Sequence, residues 1–290
     1  MGIISAFMRL TRIEHSIMLV IAVAAAELIS GALPGLQILI LSFITPIFIS
    51  MGSFAINDYF DVEADKRNKM MNRPIVSGEI TKKSALTISM CCFAIGVIAS
   101  IFINTDAFLI TVIPAAFAIL YSYRLKDLAL IGNAYIGVSM GIPFLYGNFV
   151  VSPVLSNAIL AIFFIAFLSG LAREIHGMIR DYKGDSIARS TKNLVHYIGA
   201  QASANIAFIL YAEAILISIF VFFFIKPFEF SLVYALFIGI ADIMLAYTAI
   251  TCMLHVNSRM IYIRARNISL AAMSLVLFGY LLVPLVHIAL

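Results

Sequence analysis

Apolar residues fall in blocks of about 17–25 along the chain, separated by short polar stretches. That run length suits helices crossing a bilayer, and it lacks the strict alternation of half-buried strands. Spans are predicted near 15–32, 36–57, 84–103, 107–123, 128–150, 154–172, 196–224, 230–252 and 268–288. The pattern therefore predicts an all-α integral membrane protein, nine transmembrane helices in one polytopic domain over residues 1–290. The seventh block opens with His196, Gln201, Ser203 and Asn205, so its first turns are expected to face a cavity or to protrude. Residues 1–14 have no short apolar core before a small-residue cleavage site, so no signal peptide is expected.

Charge sets the orientation. The N-terminus and the connections 2–3, 4–5, 6–7 and 8–9 hold eighteen of the nineteen Lys and Arg, leaving only Lys226 on the other side. Basic loops stay cytoplasmic, which places the N-terminus and the long polar loops inside and the C-terminus outside. The opposite loops are short and carry little chemistry, so any active site is expected on the cytoplasmic face of a cell membrane. With 63% hydrophobic and 12% charged residues, against about 25% charged in soluble domains, a cytosolic enzyme, a secreted domain and a nucleic-acid module are excluded. Cys91, Cys92 and Cys252 show no metal or disulfide spacing and read as small buried hydrophobes. The bilayer is the one partner the composition demands; no nucleic acid and no obligate protein partner are indicated.

Two acidic clusters stand out. Asn57-Asp58-x-x-Asp61-x-x-x-Asp65 closes the second span, and Asp58, Asp61 and Asp65 share one face if the helix continues. Asp181-x-x-x-Asp185 follows the sixth span as an i, i+4 pair. Four spans separate the clusters, which suggests two four-helix halves plus a ninth helix. Carboxylates stacked on a helix face repel unless a cation joins them, and Mg²⁺ takes a few carboxylates and completes its shell with phosphate oxygens. Arg67, Arg73, Lys126, Arg173, Arg180, Lys183 and Arg189 surround them. Acids that hold a metal beside bases that hold phosphate describe a diphosphate site. Tyr121, Tyr123 and Lys126 end the fourth span on the same side; the tyrosines suit either interfacial anchoring or contact with the diphosphate or a developing cation. Gly132, Gly137, Gly141 and Gly147 in the fifth span suit close packing or room for a long ligand.

Asn57-Asp-x-x-Asp61-x-x-x-Asp65, Asn72-Arg73-Pro74-Ile75 with Ser77-Gly78, Tyr121-x-Tyr123-x-x-Lys126, and Arg173-Glu174-Ile175 leading to Asp181-x-x-Gly184-Asp185 resemble the UbiA superfamily of intramembrane prenyltransferases. The resemblance implies transfer of an isoprenyl chain from a polyprenyl diphosphate, such as geranylgeranyl diphosphate, to a lipophilic acceptor. It also implies Mg²⁺ between the two motifs, and a central cavity under cytoplasmic cap loops that opens sideways to lipid. On that basis Asp58, Asp61, Asp65, Asp181 and Asp185 are the expected metal-holding catalytic residues. Asn57, Arg67, Arg73, Tyr121, Tyr123, Lys126 and Lys183 are the expected diphosphate ligands. One departure stands out: many members read Lys-Asp where this chain has Gly177-Met178.

Two acceptors compete, an aromatic quinone precursor and a geranylgeranylglyceryl phosphate of ether-lipid synthesis. The Arg12-Ile-Glu14-His15 start resembles the aromatic-acceptor members, which assigns Arg12 and His15 to the acceptor and leans to quinone biosynthesis. A farnesyl transfer to haem is a third option. Outside this class stand a cation-coupled carrier, whose site is expected at mid-membrane, and a scaffold without catalysis.

Overall fold

The structure, a computed structural model, describes residues 2–31, 33–188 and 193–289, without the side chains of residues 127, 129, 130, 183–188 and 287–289. Among the described residues there are ten helices and no strand: α1 (Ile3–Thr11), α2 (Ile13–Ile29), α3 (Leu36–Arg67), α4 (Lys82–Ile101), α5 (Thr105–Tyr123), α6 (Ala129–Val151), α7 (Asn157–Ala188), α8 (Leu194–Phe224), α9 (Leu232–Leu254) and α10 (Arg259–Ala289). A 3₁₀ turn, Leu125–Asp127, joins α5 to α6. Helix starts follow the local chemistry. Thr81 caps α4 by accepting from the Ser84 amide at 3.0 Å, and Asn104 caps α5 by accepting from the Ala107 amide at 2.7 Å.

Eight of these helices, α3 to α10, are long and apolar enough to cross a membrane, and the chain is a multi-pass integral membrane protein. The first expected span corresponds to α2, which with 17 residues is not among the eight, so the expected count of nine is not reached on length and composition. Its length is about 25 Å of helix, at the short end for a crossing. The residues before it form a separate amphipathic helix, α1, and Arg12 breaks the two apart in the left-handed region at φ 46°. The polar start of the seventh span also has a structural counterpart: Gly199, at φ 82°, kinks α8 and sets off its first turn.

Each helix from α2 to α10 packs on the next, and α10 closes the ring on α2. The two halves, α2–α5 and α6–α9, each carry a 32-residue helix in second place, α3 and α7. At about 48 Å, such a helix exceeds a hydrocarbon core of about 30 Å, so one end of each must project beyond it. Both acidic clusters ride on those overhangs.

Side chains are distributed for lipid. Ile98, Phe102, Ile113, Phe224 and Leu232 are large, apolar and exposed, whereas Ala22, Ala25, Ala26, Ala204 and Ala207 are buried. Small residues let helices approach where no water drives them together. At Gly147 a methyl group would lie 2.7 Å from both the Ala26 Cβ and the Val23 carbonyl oxygen, so α2 and α6 meet through that glycine. Gly137 and Gly141 likewise receive the rings of Phe167 and Phe163. These glycines serve packing rather than opening room for a ligand. Cys92 and Cys252 are buried as expected, but Cys91 is exposed, because it lies on the outward face of α4.

The stretch between α3 and α4 folds back as a cap. Its Ile75 and Ile80 bury against Ala6 and Leu10 of α1 and Ala55 and Val62 of α3. Arg9 of α1 ties the same stretch down, donating to the Asn72 carbonyl at 3.3 Å and to Glu79 at 2.5 Å. The Arg9 guanidinium, helped by the Ser77 hydroxyl, holds the Glu79 carboxyl below its ordinary range.

Candidate active site

Because α3 stays helical to Arg67, its acids share one face as the spacing predicts. Asp58 is 1% exposed and Asp65 8%. Cations from three other segments meet the acids. Arg12, projected by the left-handed break before α2, donates to Asp58 Oδ1 at 2.8 Å. Arg73, in the cap, donates to the same oxygen at 3.0 Å and lies 3.6 Å from Asp65 Oδ2. Lys126, in the turn after α5, donates to Asp61 Oδ1 at 2.6 Å. Four chain segments thus converge on three carboxylates.

The turn that carries Lys126 rests on a glycine. A methyl group at Gly132 would lie 2.8 Å from the Leu125 carbonyl oxygen and 3.1 Å from the Lys126 Cα. Only a residue without a side chain lets α6 start under that backbone.

Rings surround the cations. The Arg12 guanidinium sits 4.5 Å over Phe54, and the Lys82 ammonium 4.7 Å over Tyr59. Tyr121 stacks on Tyr135 with centroids 4.8 Å apart. Tyr135 also lines a cavity of about 570 Å³ between α5 and α6, bounded by Leu125 at one end and Asp106 and Phe149 at the other. Its walls are almost wholly apolar, and Leu109, Ile113 and Phe117 on its rim are exposed. The cavity therefore begins beside Lys126 and opens sideways along the helices.

Other predicted residues fall elsewhere. Arg67 is exposed and donates to the Glu63 carbonyl of its own helix at 3.2 Å. Nine residues at about 100° each put it on the face of α3 opposite Asp58. Tyr123 is 62% exposed and meets Phe60 edge-on. Asn57 is half-buried on α3, one residue before Asp58. His15 is largely exposed, 3.5 Å from Glu14, while its neighbour Arg12 is engaged by Asp58 rather than left to an acceptor. Asp181 lies on the overhang of α7, held by Arg180 at 2.5 and 2.9 Å. Lys183 and Asp185 follow on the same helix; their side chains, like all of Arg189, lie outside the described residues. Met178, at the position where UbiA members often carry Asp, takes a bond from Asn133 Nδ2 to its sulfur at 3.3 Å and packs beside Ile175 and Ile179. One group the sequence reading passed over is His176, buried on α7. Its spacing of three from Arg173 and four from Arg180 would have marked it.

Among the described residues no three His, Cys, Asp or Glu side chains converge as a ready-made metal cage. Mg²⁺ takes a few carboxylates and fills its shell with phosphate oxygens and water. The donor set is all hard carboxylate oxygen, with cations in place for the phosphates.

Comparison with known proteins agrees with this arrangement. The UbiA prenyltransferase family matches residues 18–270. Digeranylgeranylglyceryl phosphate synthase of Archaeoglobus fulgidus is 32% identical over 272 residues, 93% of this chain and 92% of that protein. The synthase of the same name from Thermococcus kodakarensis is 34% identical over 203 residues, 69% of this chain and 72% of that protein. A solved structure concerned with digeranylgeranylglyceryl phosphate synthase in membranes superposes with a TM-score of 0.80 at 27% identity, over 98% of this chain and 99% of that one. A UbiA homologue from Archaeoglobus fulgidus bound to GPP and Mg²⁺ shares the fold with a TM-score of 0.67 at 19% identity, over 95% of this chain and 99% of that one. By its fold, its aspartate motifs and the extent of these matches, the chain belongs to the UbiA prenyltransferase family.

Proposed function

We propose that this prenyltransferase moves a polyprenyl chain from its diphosphate to the free hydroxyl of a prenylated glyceryl phosphate, at the cytoplasmic face of the membrane. The observation that carries the acceptor is the 32% identity with the Archaeoglobus fulgidus synthase across nearly the full length of both chains. The aromatic acceptor rested on Arg12 and His15. It loses support because Arg12 is bound to Asp58 and His15 is exposed beside Glu14. The orientation rests on the distribution of basic residues.

In this reading Asp58, Asp61, Asp65, Asp181 and Asp185 hold Mg²⁺, which when bound neutralises the diphosphate and makes it a competent leaving group. Arg12, Arg73 and Lys126 exchange a carboxylate for phosphate oxygens when the donor arrives, and Asn57, Tyr121 and Lys183 are the further ligands the family motifs imply. The apolar cavity between α5 and α6 receives the isoprenoid chain and keeps water from the allylic carbon. The C1–O bond to diphosphate breaks and the acceptor oxygen bonds to C1. The hydroxyl proton passes to solvent as diphosphate leaves. The stacked Tyr121 and Tyr135 rings offer π-density to the charge on that carbon. A carrier is disfavoured because the acids sit on the helix overhangs, not at mid-membrane.

The test is an acceptor panel. Purified protein with geranylgeranyl diphosphate and Mg²⁺ is expected to release diphosphate fastest with geranylgeranylglyceryl phosphate. Faster release with a hydroxybenzoate or naphthoate would return the aromatic reading.

A further inference from the structure

A second basic site lies apart from the α3 aspartates, in a cavity of about 110 Å³ between α7 and α10. Arg173, His176 and Arg180 line it from α7, and Arg266 from α10. On α7 those three fall at i, i+3 and i+7, about 100° around the helix from Asp181 and Asp185. Two neighbouring faces of one helix thus carry opposite charge. Glu174 is the acid in the wall, set against three guanidiniums. Arg173 Nε and His176 Nε2 are buried without a hydrogen-bond partner in the protein, and His176 is 5% exposed. Buried polar groups are nearly always satisfied, so these two call for an oxygen-bearing ligand. Gly177 forms part of the wall, and a methyl group built there meets nothing within 4 Å.

We infer that this cavity binds the phosphate monoester of the acceptor lipid. The inference rests on the glyceryl phosphate reading above. The diphosphate of the donor already has cations of its own in Arg12, Arg73 and Lys126, on other elements. A second phosphate in the same reaction needs a second set, and Arg173, Arg180 and Arg266 supply it on the helix that carries Asp181. Arg180, bidentate to Asp181, joins the two faces. Fixing the acceptor by its phosphate would aim its hydroxyl at the diphosphate side.

The test compares wild type with Arg266→Gln, Arg266→Lys and Gly177→Leu in detergent. Acceptors are geranylgeranylglyceryl phosphate and geranylgeranylglycerol, which lacks the phosphate. Bonds to charged groups contribute about 1.5–3 kcal/mol, so Arg266→Gln is expected to raise the KM for the phosphate acceptor at least about tenfold. The KM for donor should stay within twofold, and the preference of wild type for the phosphate acceptor should collapse. Arg266→Lys should recover part of the loss. Gly177→Leu, which fills the cavity without touching a charge, should reproduce the acceptor effect while its thermal unfolding matches wild type. A raised donor KM with unchanged acceptor KM would assign the cavity to diphosphate and overturn the proposal. An unchanged preference between the two acceptors would overturn it equally. Wild-type turnover with an aromatic acceptor and none with either glyceryl lipid would instead refute the acceptor reading itself, on wild type alone.

Discussion

Asp58 carries two guanidiniums on one buried carboxylate, those of Arg12 and Arg73. It collects cations from the α1–α2 break and from the cap. Removing it takes the carboxylate from Arg12 and leaves Arg73 only its longer contact with Asp65. Breaking a buried pair costs about 3–5 kcal/mol, and because the arginines remain 22% and 23% exposed, a loss on the order of 2 kcal/mol is expected for Asp58→Ala. Asp61→Asn keeps the shape of the side chain and weakens its ion pair with Lys126, 12% and 13% exposed, so it should cost less, on the order of 1 kcal/mol. Thermal unfolding of the two variants in detergent checks this: equal midpoints would contradict the central place given to Asp58. At this scale much was legible. The three α3 acids follow from helical spacing, and the same arithmetic puts Arg67 on the far face, where proximity in sequence had suggested a ligand. Arg12 was legible as a site residue but not in its role, because its position depends on a left-handed backbone that no local residue type announces.

Helices of 32 residues are what bring both motifs clear of the hydrocarbon. Their apolar stretches end near residues 57 and 172, but the helices continue without a break, so the acids keep their spacing. The short connections matter equally. The Lys126 turn fits over α6 only because position 132 has no side chain, its Cβ place being 2.8 Å from a backbone oxygen. Overpacking of this kind costs about 1–3 kcal/mol, and here it would be relieved by moving the turn. Gly132→Ala is therefore expected to weaken donor binding, seen as a raised donor KM, with the protein still folded. An unchanged donor KM would show that Lys126 does not need its present position. The sequence showed Gly132 as one small residue among several. What singles it out is a backbone contact across a turn, which has no periodic signature. The cap was legible as a polar loop but not as a packed element, since Ile75 and Ile80 reach their core through contacts with α1 and α3.

For the whole molecule, the hydropathy pattern predicted the helical membrane fold and most boundaries, but it ended α3 and α7 at 57 and 172 and started α10 at 268, where the helices run to Arg67 and Ala188 and begin at Arg259. It was less informative about α2, which ends at Ile29, three residues before the expected span does. The ring is closed by α10 on α2, and that contact joins segments more than two hundred residues apart, beyond any local pattern. The same distance hid the cavity between α7 and α10, since Arg173 and Arg266 are neighbours only once the ring has formed. At this scale a charged end meets a lateral apolar cavity: cations and carboxylates at one end, and apolar space running from beside Lys126 along α5 and α6.

The central claim is that this ensemble transfers a prenyl chain with the α3 aspartates holding the metal. Its most direct test is the formation of labelled prenylated product from geranylgeranyl diphosphate and geranylgeranylglyceryl phosphate, by wild type and by Asp61→Asn, with Mg²⁺ and with EDTA. The account predicts product from wild type with Mg²⁺ and none with EDTA. It predicts a loss of at least about 100-fold in Asp61→Asn, the scale of removing one group that stabilises developing charge. Turnover by Asp61→Asn near the wild-type rate, or transfer that persists in EDTA, would contradict it.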